Sequence, residues 1–359
     1  MRVLLAVEQL RRAVPGGIGT YGRGLLQGLA TLDGTRPEVA LLASRPPAHP
    51  DPLAGFGFPV VASPLPGPLL TRAWQAGLAG PPDGYQVVHA ISLAAPPARR
   101  AAAVITVHDL AWRRLPEAFP RRGRHWHEGA LRRAIAGRAR FVVPSAATAS
   151  DLEAAGAAAE RVSVVEEGCD HLPPPDRSAA ASLLARIGVV GPYMLSVGTL
   201  EPRKNLSGLL AAYALARPRL PEPWPLVVVG PAGWGPSLTA SDGVHLTGPV
   251  GGGLLSGLYA GARCLAYVPL LEGFGLPPAE AMAWGTPVVA SPVPSTGGAA
   301  ALEVDPRDRE AIADGLVRAA TDEPLRERLS AAGKARAAEL TWARAARGHL
   351  DVWARAALP

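Results

Sequence analysis

Residues 192–210, PYMLSVGTLEPRKNLSGLL, decide whether this chain is one wound α/β domain or two. An apolar run ends at Gly198, Pro202 punctuates a turn, and a helical stretch begins near Asn205, so the segment reads as strand, turn and helix. It follows the turn-rich EEGCDHLPPPDRS (166–178), and from it the alternation starts over: YMLSVG (193–198), PLVVVG (225–230), GVHLTG (243–248), CLAYV (264–268) and PVVAS (287–291). Upstream, RVLLAV (2–7), VALLA (39–43), QVVHA (86–90), AVITVH (103–108), FVVP (141–144) and RVSVVE (161–166) alternate with helical stretches near 18–32, 123–137 and 146–156. Strands of this length, continuously apolar and separated by helices, are those of parallel sheets covered on both faces. The prediction is two Rossmann-like halves.

Size agrees, since 359 residues exceed one ordinary core and suggest about two domains. The expected boundaries are a first domain over 1–170, a linker over 171–190 and a second domain over 191–340. A last helix over 341–359, with Trp342 and Trp353 as anchors, can pack back on the first half. Hydrophobic residues at 48% and charged residues at 18% exclude a disordered chain. The 40 glycines and 38 prolines are scattered without a period, which excludes collagen and solenoid repeats.

Two distant cysteines, Cys169 and Cys264, build neither a disulfide framework nor a metal knuckle. The first apolar run is too short for a signal-peptide core, and Gly251 to Leu271 is broken by Arg263 and several glycines. A cytoplasmic location is expected. The net charge of +6 concentrates between Arg113 and Arg140, where nine arginines face Glu117 and Glu128. Trp126, Ala130, Ala134 and Ile135 share one helical face there, and Arg124 and Arg132 another. The segment reads as a solvated face or as a peripheral contact with an anionic membrane or lipid-linked acceptor. Nothing in it resembles a nucleic-acid-binding motif.

PGGIGTYGRG (15–24) fits G-x-G-x-x-G through Gly17, Gly19 and Gly22. A dinucleotide fingerprint, however, starts immediately after the first strand and is followed about 20 residues on by an acidic residue. Here the strand ends near Val7, and the second strand ends at Ser44-Arg45 without a carboxylate. Only an NADP site using Arg45 would survive. The glycines still permit close backbone approach to an anion at a helix start.

In the second half Arg203 and Lys204 stand together at a helix start and at the C-terminal end of a strand, where open α/β sheets bind ligands. Charge and forked donors suit a pyrophosphate. In LLEGFGLPPAEAMAWGTPVVAS (270–291), Pro277 and Pro278 open a short helix and Gly285 ends it. Glu272 then lies in the preceding loop and Glu280 in the first turn of the helix. Carboxylates so placed can accept paired hydrogen bonds from adjacent sugar hydroxyls.

These segments, with VITVHDLAW, VPSAATASDL and the tail TWARAARGHLDVWARA, resemble the retaining GT-B glycosyltransferases of the family-4 type (glycosyl transferases group 1) over nearly the whole chain. The resemblance implies an α/β GT-B fold of two Rossmann-like domains facing each other across a cleft. The first domain takes the acceptor and the second the nucleotide sugar. Arg203 and Lys204 then match the diphosphate-binding pair, Glu272 a residue near the donor sugar, and Glu280 the ribose-binding carboxylate. Phe274, Gly275 and Leu276 contribute donor contacts, with Gly198 and Thr199 beside them, and Gly17 approaches the diphosphate from the first domain. His108 matches a catalytic-site histidine near the transferred sugar, Tyr21 lies on the acceptor side, and Asp109 is either an acceptor-side polar group or a turn residue.

The implied reaction moves a hexose, with GDP-mannose as first candidate, to a glycan, lipid-linked or secondary-metabolite hydroxyl. Retention follows from the acceptor arriving on the face that the diphosphate leaves, and a leaving phosphate oxygen can take the proton. No cofactor is expected, because the nucleotide sugar is a substrate. No metal is expected either: the sequence has no Asp-x-Asp, and His125 and His127 lack further ligands. Residues 292–306, PVPSTGGAAALEVDP, depart from the family pattern, being shorter and lacking its Pro-Glu-Val stretch. The readings left beside a transferase are an NADP-dependent oxidoreductase and a catalytically silent sugar-nucleotide or lipid-binding protein.

Overall fold

The computed structural model describes residues 1–32, 37–47, 50–98, 100–222, 224–234 and 242–358. The chain divides into two compact units, Met1–Gly168 with Thr341–Pro359, and Cys169–Leu340.

In the first unit the elements run β1 (Arg2–Ala6), α1 (Gly16–Ala30), β2 (Glu38–Ala43), β3 (Val60–Ala62), α2 (Gly67–Gln75), β4 (Val87–Ala90), β5 (Ala102–Thr106), α3 (Ala111–Arg114), α4 (Arg121–Ala136), β6 (Arg140–Val143), α5 (Ala146–Ala154) and β7 (Val162–Val164). Among the described residues they build a parallel sheet in the order β3-β2-β1-β4-β5-β6-β7. Leu4 of β1 lies between Ala40 and Val88 in register, and the interiors of these strands are apolar apart from buried His89 because both faces are covered. The order reverses at β1 and β4, so the first switch point lies beyond their C-terminal ends.

The second unit runs α6 (Arg177–Arg186), β8 (Met194–Val197), α7 (Leu206–Ala216), β9 (Leu226–Val229), β10 (Val244–Gly248), α8 (Gly252–Gly261), β11 (Cys264–Tyr267), α9 (Leu276–Ala283), β12 (Val288–Ala290), β13 (Leu302–Glu303), α10 (Arg309–Thr321) and α11 (Glu323–Glu339). Its sheet order, β10-β9-β8-β11-β12-β13, puts the switch point between β8 and β11. Leu209, Ala212 and Tyr213 of α7 pack with Ile312, Leu316 and Ala320 of α10 over Met194, Leu226 and Ala266. Alanines at the helix contact let the two helices share one face of the sheet.

The last helix, α12 (Trp342–Ala357), belongs to the first unit. Its buried residues Trp342, Ala345, Ala346, His349, Val352, Trp353 and Ala356 fall on one stripe of a helix that Thr341 caps. The stripe lies on α1, where glycines make the room. A Cβ at Gly24 would stand 2.0 Å from Trp342 Cε2, and one at Gly28 2.2 Å from the Trp342 carbonyl oxygen.

Two expectations need correction. Residues 171–190 are not a plain linker: they include α6, whose Ala180 and Leu183 are buried and whose cap, Asp176, donates its backbone N–H to Gly253 O at 2.9 Å. The strands β3 and β13 were not expected, because three and two residues at a sheet edge are too short to show a period.

Candidate active site

The loops after β8 and β11 flank the switch point of the second unit, and each delivers charge. After β8 the chain makes one tight turn over Pro202–Lys204 and then enters α7 through Asn205, whose φ of 54° is left-handed. Asparagine tolerates that conformation because its side chain compensates locally. Here Asn205 Nδ2 donates to Val268 O at 3.1 Å and to Pro306 O at 2.7 Å, fixing the turn against neighbouring loops. Arg203 and Lys204 are therefore held by backbone geometry as well as by their own bonds.

Those bonds converge on Glu272. Arg203 Nη1 donates to Glu272 Oε1 at 2.9 Å and its Nη2 to Glu201 Oε1 at 2.8 Å. Lys204 Nζ donates to Glu272 Oε2 at 2.5 Å and to Tyr267 Oη at 2.7 Å, while the Tyr267 hydroxyl donates to Glu272 Oε2 at 2.6 Å. Burial alone would raise the Glu272 carboxyl, but the charges of Arg203 and Lys204 and the bonds from Lys204 and Tyr267 outweigh it, and the group is held far below the usual carboxylate range. Burial and the neighbouring Glu272 charge push the Tyr267 phenol well up, so it stays protonated and donating. Two cations and two carboxylates are thus prearranged around one tyrosine. Gly198 and Thr199, half-buried at the end of β8, lie beside them, and the Lys204 stem passes 3.8 Å from where a Gly198 Cβ would stand.

Glu272 leads into the Gly273-Phe274-Gly275 turn, and α9 starts at Leu276 with prolines in its first turn. Gly275 has a φ of 98°, and a Cβ there would meet Ser295 Oγ at 2.9 Å. The unusual 292–306 segment supplies that buttress: Ser295 Oγ donates to Gly275 O at 2.7 Å and Ser295 N to Phe274 O at 2.9 Å. Phe274 and Leu276 are buried. Glu280, past the middle of α9, is buried too; its Oε2 accepts from Tyr259 Oη at 2.7 Å, and its Oε1 lies 3.1 Å from His171 Nε2. Glu272 and Glu280 accordingly serve different surroundings.

In the first unit the glycine pattern separates into two functions. Gly17, in the first turn of α1, is exposed, with nothing within 4 Å of where its Cβ would stand, whereas Cβ atoms at Gly19 and Gly22 would strike Pro15 at 2.2 Å and Ile91 at 2.8 Å. Of these three, only Gly17 offers open backbone. His108, after β5, has both ring nitrogens near acceptors: Nδ1 is 3.3 Å from Glu167 Oε1 and Nε2 is 3.0 Å from Ile91 O. Burial lowers its proton affinity, but the Glu167 bond and charge and the Ile91 carbonyl prevail and raise it. An imidazolium that donates from both nitrogens satisfies this geometry.

Tyr21 is placed differently from its acceptor-side expectation. Its ring is buried, and its hydroxyl bonds Thr106 Oγ1 at 2.8 Å and His349 Nε2 at 2.7 Å. Asp109 Oδ1 accepts from Ala111 N at 2.9 Å, which makes it a turn residue opening α3. His125 and His127 each face the carbonyl four residues back, at 2.8 Å, and His127 stacks on Trp112. Being two apart on a helix, they diverge. On α4, Arg121, Arg122, Arg132 and Arg133 are exposed, whereas Arg124 is half-buried instead of sharing the exposed face of Arg132.

The family model for glycosyl transferases group 1 matches residues 188–336, and the glycosyltransferase family 4 model matches residues 15–171. The O-antigen chain mannosyltransferase B of Escherichia coli is 33% identical over 267 residues, which cover 68% of each chain. This chain belongs to the glycosyl transferases group 1. A D-inositol 3-phosphate glycosyltransferase of Nocardioides is 35% identical over 226 residues, covering 55% of this chain and 49% of that one. Among solved structures, Anabaena HepE in complex with UDP and glucose superposes with a TM-score of 0.73 at 18% identity, covering 99% of this chain and 100% of that one. Sucrose-phosphate synthase of Thermosynechococcus elongatus gives 0.74 at 22%, covering 99% and 98%. The fold is GT-B, with two Rossmann-like domains, and the NADP-dependent oxidoreductase reading gives way to a glycosyltransferase.

Several residues of this group 1 glycosyltransferase were not singled out from sequence: Glu201, Tyr267, Tyr259, His171 and Glu167. Each bonds or closely approaches a residue that was. The sequence signal for them was polarity inside apolar runs, as with Tyr267 in CLAYV, and His171 next to a proline run. That signal marks a buried polar group without naming its partner.

Proposed function

We propose that this chain transfers a hexose from a nucleoside-diphosphate sugar to an acceptor hydroxyl, with retention of configuration and without a metal ion. The observation that carries the reading is the Arg203–Lys204–Glu272–Tyr267 cluster at the switch point of the second unit. Two of the three Lys204 ammonium protons go to Glu272 and Tyr267, and a third remains for a phosphate oxygen. As the glycosidic bond breaks, charge grows on the leaving diphosphate, and fixed cations stabilise it without rearranging. Gly198, Thr199 and the Phe274-Gly275-Leu276 backbone line the same donor, and Glu280 takes the ribose hydroxyls; in the first unit, Gly17 offers open backbone to a phosphate.

His108 acts toward the transferred sugar as a fixed cation, because its nitrogens are engaged by Glu167 and Ile91 and it is not a free base. A leaving phosphate oxygen takes the acceptor proton, so no side chain is assigned as general base. GDP-mannose is the first donor to test, since relatives carry mannosyltransferase names; UDP-glucose is second, from the ligands of the HepE structure. A glycan is the acceptor favoured by the O-antigen relative, with lipid-linked and secondary-metabolite acceptors next. Among the described residues no helix is long and apolar enough to cross a membrane. A cytoplasmic enzyme, touching an anionic membrane peripherally through 113–140, is the corresponding setting.

The test is a screen of GDP-, UDP- and dTDP-hexoses, read by nucleotide release and product mass, in EDTA and in magnesium. Product anomeric configuration is read by NMR. Transfer in EDTA with the donor configuration kept is the expected result; strict metal dependence or inversion overturns the corresponding part of the reading.

A further inference from the structure

The carboxylate assigned to the nucleotide ribose is itself gripped from two sides. Tyr259 Oη donates to Glu280 Oε2 at 2.7 Å, and His171 Nε2 stands 3.1 Å from Glu280 Oε1. All three side chains are buried, with His171 and Glu280 only 9% and 7% exposed and Tyr259 fully enclosed. Burial and the Glu280 charge push the Tyr259 phenol well up, so it holds its proton and can only donate to the carboxylate.

The backbone fixes both partners relative to one helix. Tyr259 lies on α8, whose C-terminal end is tied to the loop after α9 by Thr286 Oγ1 donating to Tyr259 O at 2.6 Å. The segment carrying His171 is bonded to the same helix: Ser256 Oγ donates to Pro173 O at 2.7 Å and Asp176 N to Gly253 O at 2.9 Å. Upstream, Cys169 N donates to Leu340 O at 2.9 Å. A short segment pinned at both ends thus presents an imidazole to one oxygen of Glu280 while α8 presents a phenol to the other.

We infer that His171 and Tyr259 are positioning residues for nucleotide recognition, locking the Glu280 carboxylate in the plane that receives two vicinal ribose hydroxyls. This rests on the reading of Glu280 as the ribose contact. Each carboxylate oxygen has two acceptor directions. On Oε2 the Tyr259 hydroxyl takes one direction and leaves the other for a ribose hydroxyl, while His171 Nε2, 3.1 Å from Oε1, buttresses that oxygen by close contact and leaves its acceptor directions to the second hydroxyl. A carboxylate free to rotate would lose this match and pay orientation entropy on binding.

The probes are GDP and UDP, each with its 2′-deoxy and 3′-deoxy counterparts, titrated calorimetrically against the full chain. The readout is the preference for ribose over deoxyribose, which a general loss of packing leaves unchanged. His171→Ala is expected to lower that preference about tenfold, a difference near 1.4 kcal/mol, with His171→Gln, which restores a polar side chain there, recovering most of it. Tyr259→Phe, which keeps the ring and its packing, is expected to act in the same direction. A ribose preference unchanged in both His171→Ala and Tyr259→Phe, while Glu280→Ala abolishes it, overturns the positioning role and leaves the ribose contact standing. An unchanged preference in Glu280→Ala removes the ribose reading itself, and the positioning role with it.

Discussion

The loops after β1 and β8 hold the same place in two sheets of the same design, yet the side chains gathered behind them differ. After β8, Arg203 and Lys204 are packed against Glu272, Glu201 and Tyr267, a set of full charges kept apart from water and prearranged by mutual pairing. After β1 the chain first buries Glu8, which accepts from Ser44 N, and Arg11, paired with Asp51, and then brings the glycines of α1, behind which lies a chain of neutral side chains reaching α12. There the protons run one way: Trp353 Nε1 donates to His89 Nδ1 at 3.0 Å, and His89 Nε2 lies 2.9 Å from Thr106 Oγ1. Thr106 then meets Tyr21 Oη at 2.8 Å, Tyr21 meets His349 Nε2 at 2.7 Å, and His349 Nδ1 donates to Ala345 O at 2.7 Å. With the indole and the Ala345 carbonyl fixing the two ends, each intervening proton has one assignment. One switch point is built to meet a charged ligand, the other to hold α12 in place.

The comparison breaks most visibly if Lys204 is dispensable. Lys204→Ala leaves Glu272 paired with Arg203 and bonded by Tyr267, so the unit should stay folded. Loss of one preorganised partner of developing charge typically costs about 100- to 1000-fold in rate. Turnover at saturating donor is therefore expected to collapse, with transfer by the parent persisting in EDTA. Near-normal saturated turnover in the variant, measured by nucleotide release, refutes the leaving-group role.

Next in size is a pair of glycine substitutions within α1. Gly24→Ala drives a methyl into the Trp342 indole, and overpacking of this kind costs about 1–3 kcal/mol, here toward the upper end. Gly17→Ala meets open space and should leave the melting temperature unchanged while weakening nucleotide binding. Equal melting losses in the two variants would show that Gly17 is a packing glycine, leaving no phosphate loop in the first unit.

The neutral network has a pH signature. Burial lowers the His349 pKa to about 4 against the Ala345 bond, and burial together with the neighbouring His349 and His108 holds His89 well down. Both values lie below the ordinary 6.5, so the unfolded chain binds the extra protons as pH falls. Their stabilisation is complete above about pH 6.5, declines below it and is gone below the folded value. For His349 alone the loss reaches about 2 kcal/mol by pH 5. Urea midpoints from pH 8 to pH 4.5 should show this limb, and His349→Gln should flatten it; an identical limb in the variant removes His349 as its source.

What the sequence displayed was local. The alternation of apolar strands and helices, the Arg203-Lys204 pair and the Gly-Pro frame around Glu272 and Glu280 all lie within a few residues of one another, and periodicity or turn chemistry exposes them. The partners that fix them do not. Tyr21 and His349 are 328 residues apart and His108 and Glu167 are 59 apart, so no window of sequence contains both members. His89 and Thr106 were visible only as polar intrusions in VVHA and VITV, where a sheet covered on both faces has no solvent to satisfy them. The 171–190 segment misled for a similar reason: its helix is short and alanine-rich, and its packing against α8 depends on Gly257, whose Cβ would meet Asp176 O at 2.5 Å.

The smallest effect per residue belongs to the arginines on the outside of α4. Arg113 is paired with Glu128 and Arg114 with Asp151, both at 2.7 Å, while Arg121, Arg122 and Arg132 are exposed. Exposed charges of this kind change stability by no more than about 0.5 kcal/mol when removed. At an anionic bilayer the same side chains contribute about 1 kcal/mol each, and salt screens them. Replacing Arg121, Arg122 and Arg132 together by Gln should therefore leave melting and donor affinity intact while releasing the protein from phosphatidylglycerol vesicles, as raising the salt concentration should for the parent. If the parent itself does not sediment with such vesicles at low salt, α4 is a solvated face, and the acceptor to pursue is a soluble glycan or glycoside, because the charge has no membrane to meet.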